Sequence, residues 1–178
     1  KDIANQKNLL DYYIVDSNDF VYNPRISENA PVGPMRRNHN DTGVMSPLYT
    51  VIRFKACDLD FIEHYFLTNH WHSYMELIAN YGARADRMSI RTEQLFKMPI
   101  SLPTLPEQKK IADFLSAIDE RIKYLTKKKE LLEQYKRGVM QKIFSQKLRF
   151  KDERGKPFPK WGKRKLSDIT TRITTRNS

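Results

Sequence analysis

The sequence predicts an α+β protein: a small mixed domain, one long coiled-coil-forming α-helix, and a basic C-terminal tail. Three observations carry this expectation. Residues 1–103 combine short β-like runs, separated by turn-rich sequence, with a helical pattern. A proline-free stretch with a heptad apolar stripe follows, and all the excess positive charge lies in the later part of the chain.

The β-like runs are Tyr12–Val15, Asp19–Tyr22 and Tyr49–Phe54, set among Pro24, Pro31, Gly33, Pro34 and Gly43. A helical pattern comes next. Asp60 and Glu63 have the spacing of a capping box, and Ile62, Tyr65 and Phe66 then share a face. Trp71, Tyr74, Met75 and Ile78 continue at helical spacing after a break near Asn69-His70. A turn at Gly82 leads to a short segment around Ser89–Phe96.

The long helix is the plainest feature. Thr104-Leu105-Pro106-Glu107 reads as a capping box with proline in the first turn, where its missing N–H is not needed. From Glu107 to about Lys147 no proline occurs, and Gly138 is the single glycine. At 1.5 Å per residue such a helix is about 60 Å long. Its apolar stripe is Ile111, Leu115, Ile118, Ile122, Leu125, Leu132, Val139 and Ile143, at spacings of three, four and their sums. Lys129 and Lys136 fall on that seam, while Phe114, Leu131 and Tyr135 flank it. A helix cannot bury its own face, so a second long helix is the expected cover. An ordinary long helix resting on its own domain is the plainer alternative.

Arg149–Ser178 is basic and holds Pro157, Pro159 and Trp161 without a visible core. It reads as a linker, with Lys165–Ile169 able to start a strand. The chain begins at Lys1, not Met, and residues upstream of it are expected.

The net charge is +11, distributed unevenly. Residues 1–103 carry 11 Lys+Arg against 12 Asp+Glu, whereas residues 104–178 carry 21 against 9. A polyanionic partner fits that balance, although a solvated helix face and tail also explain it. The lone Cys57 excludes an internal disulfide framework and fits a reducing cytoplasm. No apolar run reaches membrane-spanning length, and no basic stretch followed by an apolar one marks a secretory signal.

Enzyme chemistry finds little support. His64, His70 and His72 beside Glu63 match no strong zinc spacing, and Trp71, Tyr74 and Met75 explain the segment as an amphipathic helix. There is no Gly-rich phosphate loop and no Gly-x-Ser-x-Gly elbow. Asp58, Asp60 and Glu63 are too generic a carboxylate set for a nuclease centre. RNA binding is disfavoured because no stacking-aromatic motif of the usual modules is present.

Ile100-Ser101-Leu102-Pro103-Thr104-Leu105-Pro106-Glu107-Gln108 through Leu115 resembles the start of the conserved spacer helix in type I restriction–modification specificity subunits. Ile118–Ile122 and Gln141–Gln146 continue the match, and Leu148–Asp152 with Pro159-Lys160-Trp161 resembles that family's linker into its second recognition domain. Asp19–Pro24 and Gly43–Tyr49 resemble the later part of a target-recognition domain. The resemblance implies residues 1–103 as part of a recognition domain, 104–147 as the spacer helix, and 148–178 as a linker opening into a second domain.

Complete family members pair two spacer helices antiparallel, as a ruler between two recognition domains that each read half of a bipartite site. A stiff rod fixes a distance that a flexible linker blurs. With one helix per chain, two copies pairing antiparallel would imitate that arrangement, so a homodimer is expected. The partners implied are double-stranded DNA, the methyltransferase (modification) subunit and the restriction subunit. Adenine methylation with S-adenosylmethionine and ATP-driven cleavage belong to those subunits, so this chain is expected to be non-catalytic, to hold no cofactor and no metal, and to be cytoplasmic.

Base readout needs paired donors and acceptors, chiefly on Arg, Lys, Asn and Gln. The first candidate is the polar loop Arg36-Arg37-Asn38-His39-Asn40, between Pro34 and Gly43. The second is Arg84, Arg87 and Arg91, for which ion pairs with Asp86 and Glu93 are the competing account. Tyr22, Asn23 and Arg25 form a third set. Leu105, Pro106 and Phe114 are the candidates for docking a partner subunit, because the family receives its modification subunits where recognition domain meets helix. A coiled-coil scaffold whose attached domain binds protein is the competing functional class.

Overall fold

The computed structural model describes residues 11–81 and 86–173. Five short strands come first: β1 (Tyr13–Val15), β2 (Phe20–Tyr22), β3 (Met35–Arg37), β4 (Gly43–Met45) and β5 (Thr50–Ile52). Helices α1 (Leu59–Phe66) and α2 (His72–Ile78) follow, then β6 (Asn80–Tyr81), β7 (Met88–Ser89) and the single turn α3 (Thr92–Leu95). The helix α4 runs from Leu105 to Phe144. The expected α+β class, a small mixed region followed by one long helix, is observed.

β2 is the centre of an antiparallel sheet ordered β3-β2-β5, with Tyr22 opposite Met35 on one side and Thr50 on the other. Alternation puts Phe20 and Tyr22 inward, and Val21 between them stays half exposed. β1 pairs with β4, and β6 with β7. The expected runs contain β1, β2 and β5. β3, β4, β6 and β7 lie outside those runs.

The turn into β3 depends on one glycine. Gly33 has φ +78°, and a Cβ there would lie 2.1 Å from the Asn23 carbonyl oxygen. The backbone N–H of Asn23 donates to the Pro34 carbonyl at 3.0 Å, which locks β2 and β3 together at that point.

The core is aromatic. Phe20 meets Phe54 edge-on at 5.0 Å, and Phe66 meets Trp71 at 5.3 Å, while Ile62, Met75, Met88 and Leu95 complete the buried cluster. The expected break between the helices exists: Trp71 stands just ahead of α2, its indole N–H donating to the Thr68 carbonyl at 3.0 Å. The expected cap of α1 is corrected. Asp58, not Asp60, caps the helix by accepting from the Phe61 N–H at 2.9 Å. Asp60 and Glu63 turn instead toward Arg37.

The chain divides into two compact units, one up to Ile122 and one from Lys123. In the first, Ala112 and Gln108 on α4 are buried. The Gln108 carboxamide accepts from the Asp58 N–H at 2.9 Å and donates to the Pro103 carbonyl at 2.7 Å. One side chain thereby ties the first turns of α4 to the residue that caps α1.

In the second unit α4 ends at Phe144, about three residues before the expected end, and Gln146 takes a left-handed conformation at φ +60°. A tied turn follows. The Asp152 carboxylate accepts from the N–H groups of Arg154 and Lys156, Gly155 has φ +77°, and the Arg149 guanidinium donates to the Phe158 carbonyl at 3.0 Å. Trp161 stands edge-on to Phe144 at 6.2 Å. The strand expected near 165–169 is a 3₁₀ turn, Leu166–Asp168, because the Asp168 carboxylate folds back onto the Lys165 N–H at 3.1 Å.

Candidate nucleic-acid interface

The segment expected as a polar loop is a strand followed by a bend. Arg36 and Arg37 belong to β3, so alternation sends them to opposite faces: Arg36 is exposed, whereas the Arg37 side chain is only 12% accessible. Arg37 donates from Nε to Asn18 Oδ1 at 2.9 Å and from Nη1 to Asp60, with Glu63 at 3.6 Å. It braces β3 against α1.

Asn38 is also committed to shape. Its amide donates to the Asp16 carbonyl at 3.0 Å, and its Oδ1 accepts from the Asn40 N–H at 3.0 Å. His39 is exposed and meets Glu63 at 2.8 Å. Arg36, His39 and Asn40 are therefore the outward members of the set. Arg36, Arg37, Asn38 and Asn40 share the wall of an open groove of about 350 Å³.

Beneath this end of the sheet lies a buried carboxylate absent from the sequence expectations. Asp19 accepts from the Asp16 N–H at 2.9 Å and, through both oxygens, from the Arg53 guanidinium at 2.6 and 2.7 Å. The Arg53 hydrogen bonds hold its carboxyl below the usual aspartate range, against the opposing effect of burial. Arg53 reaches Asp16 as well at 2.6 Å, and these acids push the guanidinium pKa further up. The signal in sequence was an Asp and an Arg at strand ends, which only the β2–β5 register brings together.

The second and third candidate sets partly merge. Arg25 and Arg87 form an antiparallel bridge, backed by Met88 N–H to the Pro24 carbonyl and Ile26 N–H to the Asp86 carbonyl, both 3.0 Å. Asn23, Arg25 and Arg87 thus line one small cavity of about 70 Å³ with Leu48 and Tyr49. Arg25 pairs with Asp86 at 3.4 Å.

Tyr22 belongs to the core instead, 2% exposed, its hydroxyl donating to the Val32 carbonyl at 2.8 Å. Arg91 is exposed ahead of α3, and Arg84 lies outside the described residues.

On α4, Leu105, Pro106 and Phe114 are all exposed. Of the apolar stripe, Ile111, Leu115, Val139 and Ile143 are half-buried, whereas Ile118, Ile122, Leu125 and Leu132 are open to solvent. The three histidines go separate ways. His64 faces α4, 3.4 Å from Ser116 Oγ and 3.9 Å from Asp119; His72 meets Trp71 edge-on; His70 is exposed. No described helix is long and apolar enough to cross a membrane.

Comparison with known proteins gives one family. The type I restriction modification DNA specificity domain matches residues 4–134. The chain is similar to the type I restriction enzyme MjaVIII specificity subunit of Methanocaldococcus jannaschii, 39% identical over 67 residues, which is 38% of this chain and 16% of that protein. It is likewise similar to a second protein of that organism, assigned to the MjaX type I system as its specificity subunit, at 42% over 60 residues, 34% of this chain and 14% of the relative. The matched stretch thus spans under a fifth of either relative.

Proposed function

The chain belongs to the type I restriction modification DNA specificity family, and from that membership we propose that it reads one half of a bipartite DNA site and catalyses no step itself. The observation that carries this reading is the attachment of α4. The Leu-Pro-Thr-Leu-Pro-Glu-Gln segment that resembles the family is where Gln108 ties the helix to Asp58 and Pro103. A stiff rod rooted in a folded domain by a buried side chain holds that domain at a set distance from whatever the rod's far end engages.

In this reading residues 1–103 contribute the later part of a recognition domain, 104–147 the spacer helix, and 148–178 the passage toward a second domain. Arg36, His39 and Asn40 present donors and acceptors to base edges, and Arg25 and Arg87 beside Asn23 present a second set. Leu105, Pro106 and Phe114 offer apolar contact to a modification subunit, with the restriction subunit joining the same assembly. S-adenosylmethionine and ATP are held by those partners.

The open stripe Ile118, Ile122, Leu125 and Leu132 pairs with a second long helix; a second copy of this chain, antiparallel, supplies one of the same length. The test is co-expression with the methyltransferase subunit of a type I system. A complex of fixed stoichiometry that methylates a defined sequence is expected, with Arg36→Ala changing or abolishing the sequence methylated. A complex that forms but methylates without sequence preference sinks the DNA-reading assignment and favours the scaffold.

A further inference from the structure

We propose that the second unit, from Lys123 onward, supplies most of the phosphate contacts to duplex DNA. This inference rests on the DNA-reading proposal for its choice of partner, but its observations are separate. Charge divides where the fold divides. Residues 1–122 carry 14 Lys+Arg against 16 Asp+Glu, a net of −2, and residues 123–178 carry 18 against 5, a net of +13.

Several of the first unit's arginines also face its own acids. Arg37 faces Asp60 and Glu63, Arg53 faces Asp16 and Asp19, and Arg25 faces Asp86. Duplex affinity rests on cations that displace counterions from phosphates, and a unit of this balance has few to offer.

The helix after Ile122 is arranged for that task. Between Lys123 and Phe144 the acids are Glu130 and Glu133, the former paired with Lys127 at 3.2 Å. At helical spacing Lys123, Lys127 and Arg137 fall opposite the stripe of Leu125, Leu132 and Val139. A partner helix covering the stripe therefore leaves these cations facing outward. The tied turn past the helix adds more of the same sign on a fixed backbone, with Asp152 occupied by its own N–H contacts. Base reading and phosphate attraction are then assigned to different units: the first supplies specificity, the second most of the salt-dependent affinity.

The experiment titrates the full chain against a labelled duplex of unrelated sequence across a series of NaCl concentrations. One variant combines Lys123→Gln, Lys127→Gln and Arg137→Gln, substitutions that keep helix propensity and whose helicity is checked by circular dichroism. A second combines Arg36→Gln with Arg87→Gln. Each phosphate that no longer meets a cation lowers the slope of log K against log salt by about 0.9, so the helix variant is expected to flatten it by about 2 to 3. The first-unit variant should flatten it less and instead erode preference for the methylated sequence over an unrelated one.

An unchanged slope in the helix variant overturns the proposal, as does absence of duplex binding by the parent at low salt. If the helix variant keeps the DNA slope but no longer binds the modification subunit, the basic face serves an acidic protein surface and the proposal fails. A parent with a steep slope but no sequence preference sinks the DNA-reading assignment alone and leaves this one standing.

Discussion

The two units meet the problem of apolar surface in opposite ways. Residues 11–122 bury Phe20, Ile62, Trp71 and Met75 completely or nearly so, in a core closed by its own strands and helices. From Lys123 to Ile173 no described residue is buried, although Leu125, Leu132, Phe150, Trp161 and Ile173 are all there. The first unit brings together side chains from many elements at different angles. The second has a single long element, and one helix has nothing of its own to cover its apolar face. Substitutions in the first unit should therefore register in the stability of the isolated chain, and those in the second in its associations.

The largest effect expected from breaking this contrast is at Gly33. An alanine Cβ would lie 2.1 Å from the Asn23 carbonyl oxygen at a φ of +78°. Gly33→Ala should cost about 3 kcal/mol by thermal or urea unfolding. The helical signal of the second unit should outlast that loss; simultaneous collapse of both would argue that the units fold as one. Next comes Gln108→Ala, which strips a buried bond from the Asp58 N–H and another from the Pro103 carbonyl. A loss of about 1–3 kcal/mol is expected, with faster hydrogen exchange at the Asp58 amide. Unchanged exchange there would show that α4 is rooted by other contacts.

A smaller effect concerns acid. Because Arg53 holds the Asp19 carboxyl below its ordinary range, this pair stabilises the fold fully above that range. The contribution is lost as pH falls through the depressed folded value. Unfolding midpoints measured against pH should drop at the acid end, and Asp19→Asn should flatten that drop while lowering stability near neutrality. The smallest stability change is expected from Leu125→Lys with Leu132→Lys, within about 0.5 kcal/mol for the first unit. Light scattering should nevertheless register the substitution as loss of any helix-paired species. A marked fall in first-unit stability would mean the stripe is not the open surface described.

Much of this was legible in the sequence wherever a pattern ran long enough. The heptad stripe and the proline placed inside the first turn gave α4 to within a few residues at its far end. The spacing of Trp71, Tyr74 and Met75 located α2, and its break from α1. The candidate site was read less well. Arg36 and Asn40 do face solvent, but their neighbours Arg37 and Asn38 turned out to hold the scaffold, and Tyr22 to fill the core. In a row of polar residues, composition gives no sign of which ones point inward. That is decided by strand phase, and β3 is only three residues long.

What depends on neighbours along the chain could be read from residue order alone: the helix and its apolar stripe, the turn-rich stretch around Gly33, the partition of charge, and the motif that marks the family. Which distant residues meet required the folded molecule. Asp19 with Arg53, Arg25 with Arg87, Arg37 with Asp60 and Gln108 with Asp58 are pairings across loops. A helix repeats a local rule every few residues, whereas a contact between strands depends on register. In this chain each register is carried by two or three residues and a core that forms only when all of them are in place.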